Sequence, residues 1–219
     1  PDYRLSTRVV AGSTPGTVVL IGGGDATLSR LPAGQESVYP GAPKLADLAA
    51  QTVAAYATAN PDAPGIAEVV LDATYWSVAD RWDSSWDRSL QTSGYTSEVT
   101  ALQVDGDRDD PRSAISPRST DPVGRAGAAF ATALADAGNP DGVPSVSLGS
   151  AVSTTVLAQV QSQPVSALVA YMIDTSDNTV AEMLARVSSR VIGFDGSAAS
   201  LTRTFAGALD TYGVSTTGI

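Results

Sequence analysis

Cysteine and histidine are absent from the 219 residues, and Lys44 is the sole lysine. Without cysteine, disulfide scaffolds, zinc ribbons and thiol nucleophiles are excluded. Without histidine, imidazole metal sites and Ser-His-Asp triads go with them. No metal and no cofactor is expected. Positive charge is scarce and scattered: 13 Lys and Arg stand against 23 Asp and Glu, a formal net charge of -10. Proteins that hold nucleic acid displace counterions from phosphates with clustered basic side chains, so nucleic acid is not an expected partner. No apolar run approaches the roughly 20 residues of a membrane helix. No charged stretch followed by an apolar one opens the chain as an export signal would, so any signal or anchor is expected upstream of these residues. The 43% hydrophobic and 16% charged content is nonetheless that of a globular chain with room for one or two cores.

The first two thirds read as strands. Tyr3–Gly12 and Thr17–Leu28 are β-branched and alternating around a Pro-Gly turn, the pattern of a hairpin. Ile66–Trp76 reads as a buried strand and Ser97–Gly106 as another, with VPSVSLG and TTVLAQVQS as short strands further on. Lys44–Ala59 carries Leu45, Leu48, Ala49, Val53 and Tyr56 at helical spacing and stops at Asn60-Pro61. Asp80–Tyr95 reads as a loop held down by Trp82 and Trp86, and Asp107–Pro122 as an exposed, proline-broken excursion. Val123–Ala137 is a small-residue helix. After Pro164, three more helices are expected, the last over Ser197–Tyr212. The class expected is α+β, with a β-rich domain over 1–163 and a helical segment over 164–219.

Three stretches invite a chemical reading. Gly22-Gly23-Gly24-Asp25 lacks both the third glycine of a dinucleotide loop, where Thr27 stands, and the Gly-Lys-Ser/Thr of a phosphate loop. It is expected to be a bulged strand end with positive φ values. Asp105 to Asp110 begins like a calcium loop but has Asp110 where the turn needs glycine and Ser116 where a bidentate Glu belongs. A solvated acidic loop is expected there.

The third stretch is MIDTSDNTVAEMLAR, Met172–Arg186. Thr175, Ser176 and Asp177 are all helix-capping residues, Thr179 and Glu182 have capping-box spacing, and Val180, Met183, Leu184 and Val187 form an apolar stripe. A capped amphipathic helix thus accounts for every residue. Yet a helix N-terminus projects its cap side chains away from that stripe, where Ser-Asp-Asn could offer a hydroxyl and an amide to a cleft. Ser-Asp-Asn is also one of three motifs of the penicillin-recognising serine acyltransferases, beside S-x-x-K and K-T-G.

Gln161–Arg186, QSQPVSALVAYMIDTSDNTVAEMLAR, closely resembles the region around this motif in the D-alanyl-D-alanine carboxypeptidases of the class C, low-molecular-mass penicillin-binding proteins. RLSTRVVAG with VVLIGGGDATL resembles the first hairpin of that family's inserted domain. IAEVVLDATYW, TSEVTALQVDGD and GRAGAAFATALADAG follow in the family's order, so the likeness covers nearly the whole chain. It implies an α+β fold in which residues 1–163 are the inserted domain and 164–219 a helical part of the penicillin-binding domain. One inserted domain is expected, not two. It also implies roles: Ser176 as proton relay, Asn178 as substrate contact, Asp177 as the residue that orients them. The implied partners are peptidoglycan stem peptides ending in D-Ala-D-Ala, with β-lactams as inhibitors, and the implied place is the cell envelope. Such chemistry activates serine with lysine and needs no histidine.

The other two motifs are not here. Gly41 stands three residues before Lys44, so S-x-x-K fails, and K-T-G would need a second lysine. Two readings of different class follow. In one, the chain is a portion of a serine carboxypeptidase whose nucleophile lies in missing segments of the same protein, and by itself is inactive. In the other, it is a non-catalytic module that binds peptidoglycan or a partner, with Ser-Asp-Asn serving only as a cap.

Overall fold

The computed structural model describes residues 2–217. Pro1, Gly218 and Ile219, which belong to the expected spans 1–163 and 164–219, lie outside the described residues. In chain order the elements are β1 (Arg4–Ala11), β2 (Thr17–Ile21), α1 (Leu45–Ala59), β3 (Glu68–Asp72), α2 (Ser89–Thr92), α3 (Pro122–Asp136), β4 (Ser145–Leu148), β5 (Val156–Pro164), α4 (Val165–Thr175), α5 (Asn178–Val191) and α6 (Ala198–Asp210). The strands form one mixed sheet in the order β4-β3-β2-β1-β5. Sheet and helices together make the fold mixed α/β, in agreement with the α+β class expected.

The hairpin forms as its turn residues dictate. Gly16 at φ +83 reverses the chain, and Arg8 to Ala11 pair antiparallel with Ile21 to Val18. Strand β2 then runs parallel to β3, and β3 parallel to β4. Parallel neighbours need long crossovers; α1 provides the first and the segment containing α3 the second. Leu45, Leu48, Ala49, Thr52 and Tyr56 are the buried face of α1, and the Tyr56 hydroxyl accepts from the Gly16 N–H at 2.7 Å, tying the helix end to the hairpin turn. Val9, Val18, Leu20, Val69 and Leu71 of the sheet pack with α1 and with Phe130 and Leu134 of α3 in one buried cluster. A second cluster gathers Leu5, Tyr39, Trp76, Val99 and Ala101 with Leu168, Val180, Met183, Leu184 and Val187 of the helices that follow β5. Pro164 closes β5 and caps α4, so the strand feeds the helix without a loop. Among the described residues no helix is long and apolar enough to cross a membrane.

The sequence reading fails at three places. Ser97–Gly106 is not a strand. Thr96–Arg108 is continuously buried but irregular, because its backbone partners lie in unrelated segments: Val99 donates to Arg81, Asp105 to Leu28 and Gly106 to Ala26, while Ala101 accepts from Gly24. Burial on all sides imitates the composition of a strand without offering a neighbour to pair with. The glycine run serves this segment. Only Gly24 has a positive φ, +87, whereas Gly22 is needed for close approach, since a Cβ there would stand 2.3 Å from the Ala101 carbonyl oxygen. The acidic run is solvated only at Asp109 and Asp110. Asp105 and Asp107 are fully buried, and of the 107–122 excursion Arg108, Pro111, Ser116, Arg118 and Pro122 are buried too, while residues 109–110, 112–115, 117 and 119–121 are exposed or half-buried.

Asp25, at the end of the glycine run, is buried with Oδ1 accepting from the backbone N–H and hydroxyl of Thr27 at 2.8 and 2.6 Å, while Oδ2 has no partner among the described residues. Burial pushes its carboxyl up to about 6, against 3.8 ordinarily. Between those values the folded chain keeps a proton that the unfolded chain has released. Stability therefore falls as pH rises across that window, by about 3 kcal/mol in all. An Asp25→Asn variant should gain stability relative to wild type between pH 4 and 6. Denaturant titrations at each pH measure this, and a pH-independent difference would contradict it.

Candidate functional site

Helices α4 and α5 are joined by Ser176 and Asp177 alone. Ser176 sits in the left-handed region, φ 54 and ψ 43, as the C-cap of α4, a conformation that costs a residue with a Cβ about 1–2 kcal/mol. Asp177 returns to extended backbone and caps α5, its Oδ1 accepting from the Val180 N–H at 3.0 Å. The cap is thus Asp177 by itself. Ser176 caps the preceding helix, and Thr179 belongs to α5, where its hydroxyl accepts from the Ser97 N–H at 3.2 Å instead of opening a capping box.

The second oxygen of Asp177 is held by segments distant in the sequence. Oδ2 accepts from Arg108 Nη2 at 2.9 Å and from the Tyr39 hydroxyl at 3.1 Å. Arg108 Nη1 donates to the Tyr39 oxygen at 2.6 Å and to the Asp105 carbonyl at 3.2 Å. Its guanidinium lies over the Tyr39 ring, 4.9 Å from the centroid, and Tyr39 meets Tyr171 of α4 edge-on at 5.3 Å. Both members of the ion pair are 4% exposed at their side chains, which places the pair where Coulomb attraction is strong but a lost partner is expensive. Burial, with the Asp177 charge adding to it, pushes the Tyr39 phenol well above its ordinary value, so Tyr39 is always a donor here. Burial also works against the Arg108 charge, but Tyr39 and Asp177 outweigh it and raise the guanidinium above its usual value. Arg118 lies in the same buried region. Burial first, and then Arg108, push it down to about 10, and its Nε and Nη1 have no partner among the described residues.

Arg108 reaches this position because the chain before it turns left-handed. Asp105, Gly106 and Asp107 have φ of 51, 58 and 57, a run that Asp and Gly tolerate better than other residues. Each aspartate is secured: Asp105 accepts from the Arg30 N–H at 3.1 Å, and Asp107 from the Ser119 N–H at 2.7 Å. A Cβ on Gly106 would stand 2.4 Å from the Tyr39 hydroxyl, so glycine is what lets Tyr39 and Arg108 meet.

Ser176 and Asn178 flank this buried carboxylate, and both are exposed. The Asn178 amide has one weak contact, 3.4 Å to the Tyr95 carbonyl. The sequence-expected trio is therefore one inward-facing anchor between two outward-facing polar groups. Lys44 stands apart, nearly buried, with its ammonium donating to the Gln35 carbonyl at 2.6 Å. Among the described residues no group of three or more acidic side chains could hold a metal ion. Sequence reasoning passed over Arg108 and Tyr39. Asp-Gly-Asp before an arginine, a composition suited to a left-handed turn, was the signal available for Arg108.

The description "D-Ala-D-Ala carboxypeptidase 3 (S13) family" matches residues 107–219, from the left-handed turn to the chain end. Carboxypeptidase DacB of Mycolicibacterium smegmatis is 35% identical over 218 residues, which is 97% of this chain and 45% of that protein. Carboxypeptidase Rv3627c of Mycobacterium tuberculosis is 36% identical over 186 residues, 84% of this chain and 38% of that protein. The chain thus spans less than half the length of these curated relatives. In fold it is similar to penicillin-binding protein 4 (dacB) of Haemophilus influenzae, with a TM-score of 0.71 at 16% identity over 99% of this chain and 59% of the other. A second structure of that protein, in complex with a β-lactam, gives a TM-score of 0.62 at the same identity over 98% and 57%.

Replacing Arg108 with methionine should strand a buried carboxylate and lower stability by about 3–5 kcal/mol. Adding Asp177→Asn to that variant should recover part of the loss, because the uncompensated charge goes with it. Denaturant unfolding of the single and double variants tests both, and additive losses would show that the two side chains do not depend on each other.

Proposed function

The chain belongs to the D-Ala-D-Ala carboxypeptidase 3 (S13) family, and from that premise we propose that it is a portion of a serine D-Ala-D-Ala carboxypeptidase that trims peptidoglycan stem peptides. In this reading a serine outside these residues attacks the D-Ala-D-Ala carbonyl. The C–N bond breaks, D-Ala leaves with a proton, and water hydrolyses the acyl ester to regenerate the serine. Ser176 passes the proton toward the leaving amine, and the Asn178 amide binds the acyl side of the substrate. Asp177 orients both. The observation that carries the reading is the presentation of Ser176 and Asn178 on either side of a buried, ion-paired Asp177, inside the segment that the family matches.

Residues 1–163 are, in the same proposal, the inserted domain and 164–219 part of the penicillin-binding domain. Apolar side chains left uncovered on the last three helices support this, Ile173 at 69%, Val191 at 55% and Phe205 at 46% exposure, as faces that further protein would cover. β-Lactams are proposed as inhibitors through the same acyl chemistry, and the cell envelope as the place of action. The non-catalytic reading has one observation in its favour: the only lysine is committed to a backbone carbonyl and no S-x-x-K serine accompanies it.

Purified by itself, this chain should take no covalent label from a fluorescent penicillin. A full-length protein carrying S-x-x-K should label, and Ser176→Ala should slow its acylation by about 100-fold, the low end of what a positioned proton-transfer group contributes. A full-length protein that contains S-x-x-K and still resists labelling would favour the binding module.

A further inference from the structure

We infer that Arg108 and Tyr39 are positioning residues for Ser176 and Asn178, acting through Asp177. The inference rests on the acyl-transfer role proposed for the Ser-Asp-Asn turn. Three donors converge on one carboxylate: the Val180 N–H on Oδ1, and Arg108 Nη2 and the Tyr39 hydroxyl on Oδ2. The first comes from the helix that Asp177 caps. The other two come from segments 69 and 138 residues away in sequence, so they register the turn against the body of the protein and not merely against its own helix.

The register matters because the local bonds of the turn, from the Ser176 and Asp177 N–H groups to the Met172 carbonyl, tie it to α4 and not to the body of the protein. Ser176 is left-handed without being glycine, and its side chain and that of Asn178 are exposed with little to hold them. Their orientation is set by the backbone on either side of Asp177, and that backbone is set by where the carboxylate is clamped. Displacement of a reacting group by about 1 Å can lower a rate by on the order of 100-fold, so a loosened clamp should be felt in the chemical step. Tyr39 and Arg108 also fix each other, through the 2.6 Å bond and the stacked ring. Removing the Tyr39 hydroxyl therefore loosens the fork of Arg108 while leaving the packing of the ring and the charge pair in place.

The test uses the full-length enzyme with Tyr39→Phe, Arg108→Lys and Arg108→Gln, read in two ways. Amide hydrogen exchange over residues 175–180 reports the order of the turn without reference to activity. It should quicken about 10-fold in Tyr39→Phe and Arg108→Lys while α1 and α3 keep their protection. Pre-steady-state acylation by a fluorescent penicillin reports positioning. The limiting rate should fall about 10-fold in Tyr39→Phe with the half-saturating concentration within about 2-fold of wild type, the pattern of an interaction felt in the transition state and not in ground-state binding. Arg108→Lys should retain part of the rate that Arg108→Gln loses. Unchanged exchange at 175–180 in both conservative variants overturns the clamp. Quickened exchange with an unchanged limiting rate, or an effect confined to half-saturation, overturns the positioning role. If the wild-type enzyme itself takes no label, the acyl-transfer reading falls and the positioning role with it, while the exchange data still decide whether the clamp orders the turn.

Discussion

Arg108 and Asp177 are 69 residues apart in the chain and 2.9 Å apart in space, and the structure around them reads as the set of conditions that bring them together. A buried charge without a partner is far more costly than a buried pair, so the segments carrying the two residues have to converge. For Arg108 this requires that residues 96–108 run through the interior, that Gly22 leave space beneath them, and that Asp105-Gly106-Asp107 turn left-handed to aim the guanidinium inward. For Asp177 it requires that α4 end abruptly and α5 begin at once. Tyr39, from a loop between β2 and α1, closes the arrangement by contacting both.

The same economy recurs elsewhere in this acidic chain. Several of its cations pair with buried or partly buried carboxylates: Arg30 with Asp105, Arg125 with Asp107, Arg186 with Asp80, and the exposed Arg81 and Arg88 with Glu98. Arg186 is of particular use because it joins α5 to the loop after β3 and to the Gly196 carbonyl ahead of α6. The N-cap of α5 and a residue in its C-terminal half are thereby anchored by arginine–aspartate pairs to segments outside it.

A site of this kind separates two tasks within three consecutive residues. Alternate residues at a helix start face different ways, so a carboxylate can be sunk into the protein while its neighbours remain available to a substrate. In the acyl-transfer role proposed for the turn, that separation presents a hydroxyl and an amide in fixed relation to the nucleophile.

Local signals in the sequence determined much of the outcome. Glycine and proline marked the hairpin turn and the helix ends, helical spacing marked α1 and α5, small-residue composition marked α3, and Ser176-Asp177-Asn178 was visible as both a cap and a motif. Each of these depends on interactions within a few residues, which a linear reading can follow. Tertiary structure alone decided that Thr96–Arg108 is irregular and buried, that the Asp105–Asp107 run lies inside, that Ser176 is left-handed, and that Arg108 and Tyr39 hold the turn. Those outcomes arise from partners tens of residues distant. Polar composition suggests solvent until a matching charge is brought alongside, and only the fold brings it.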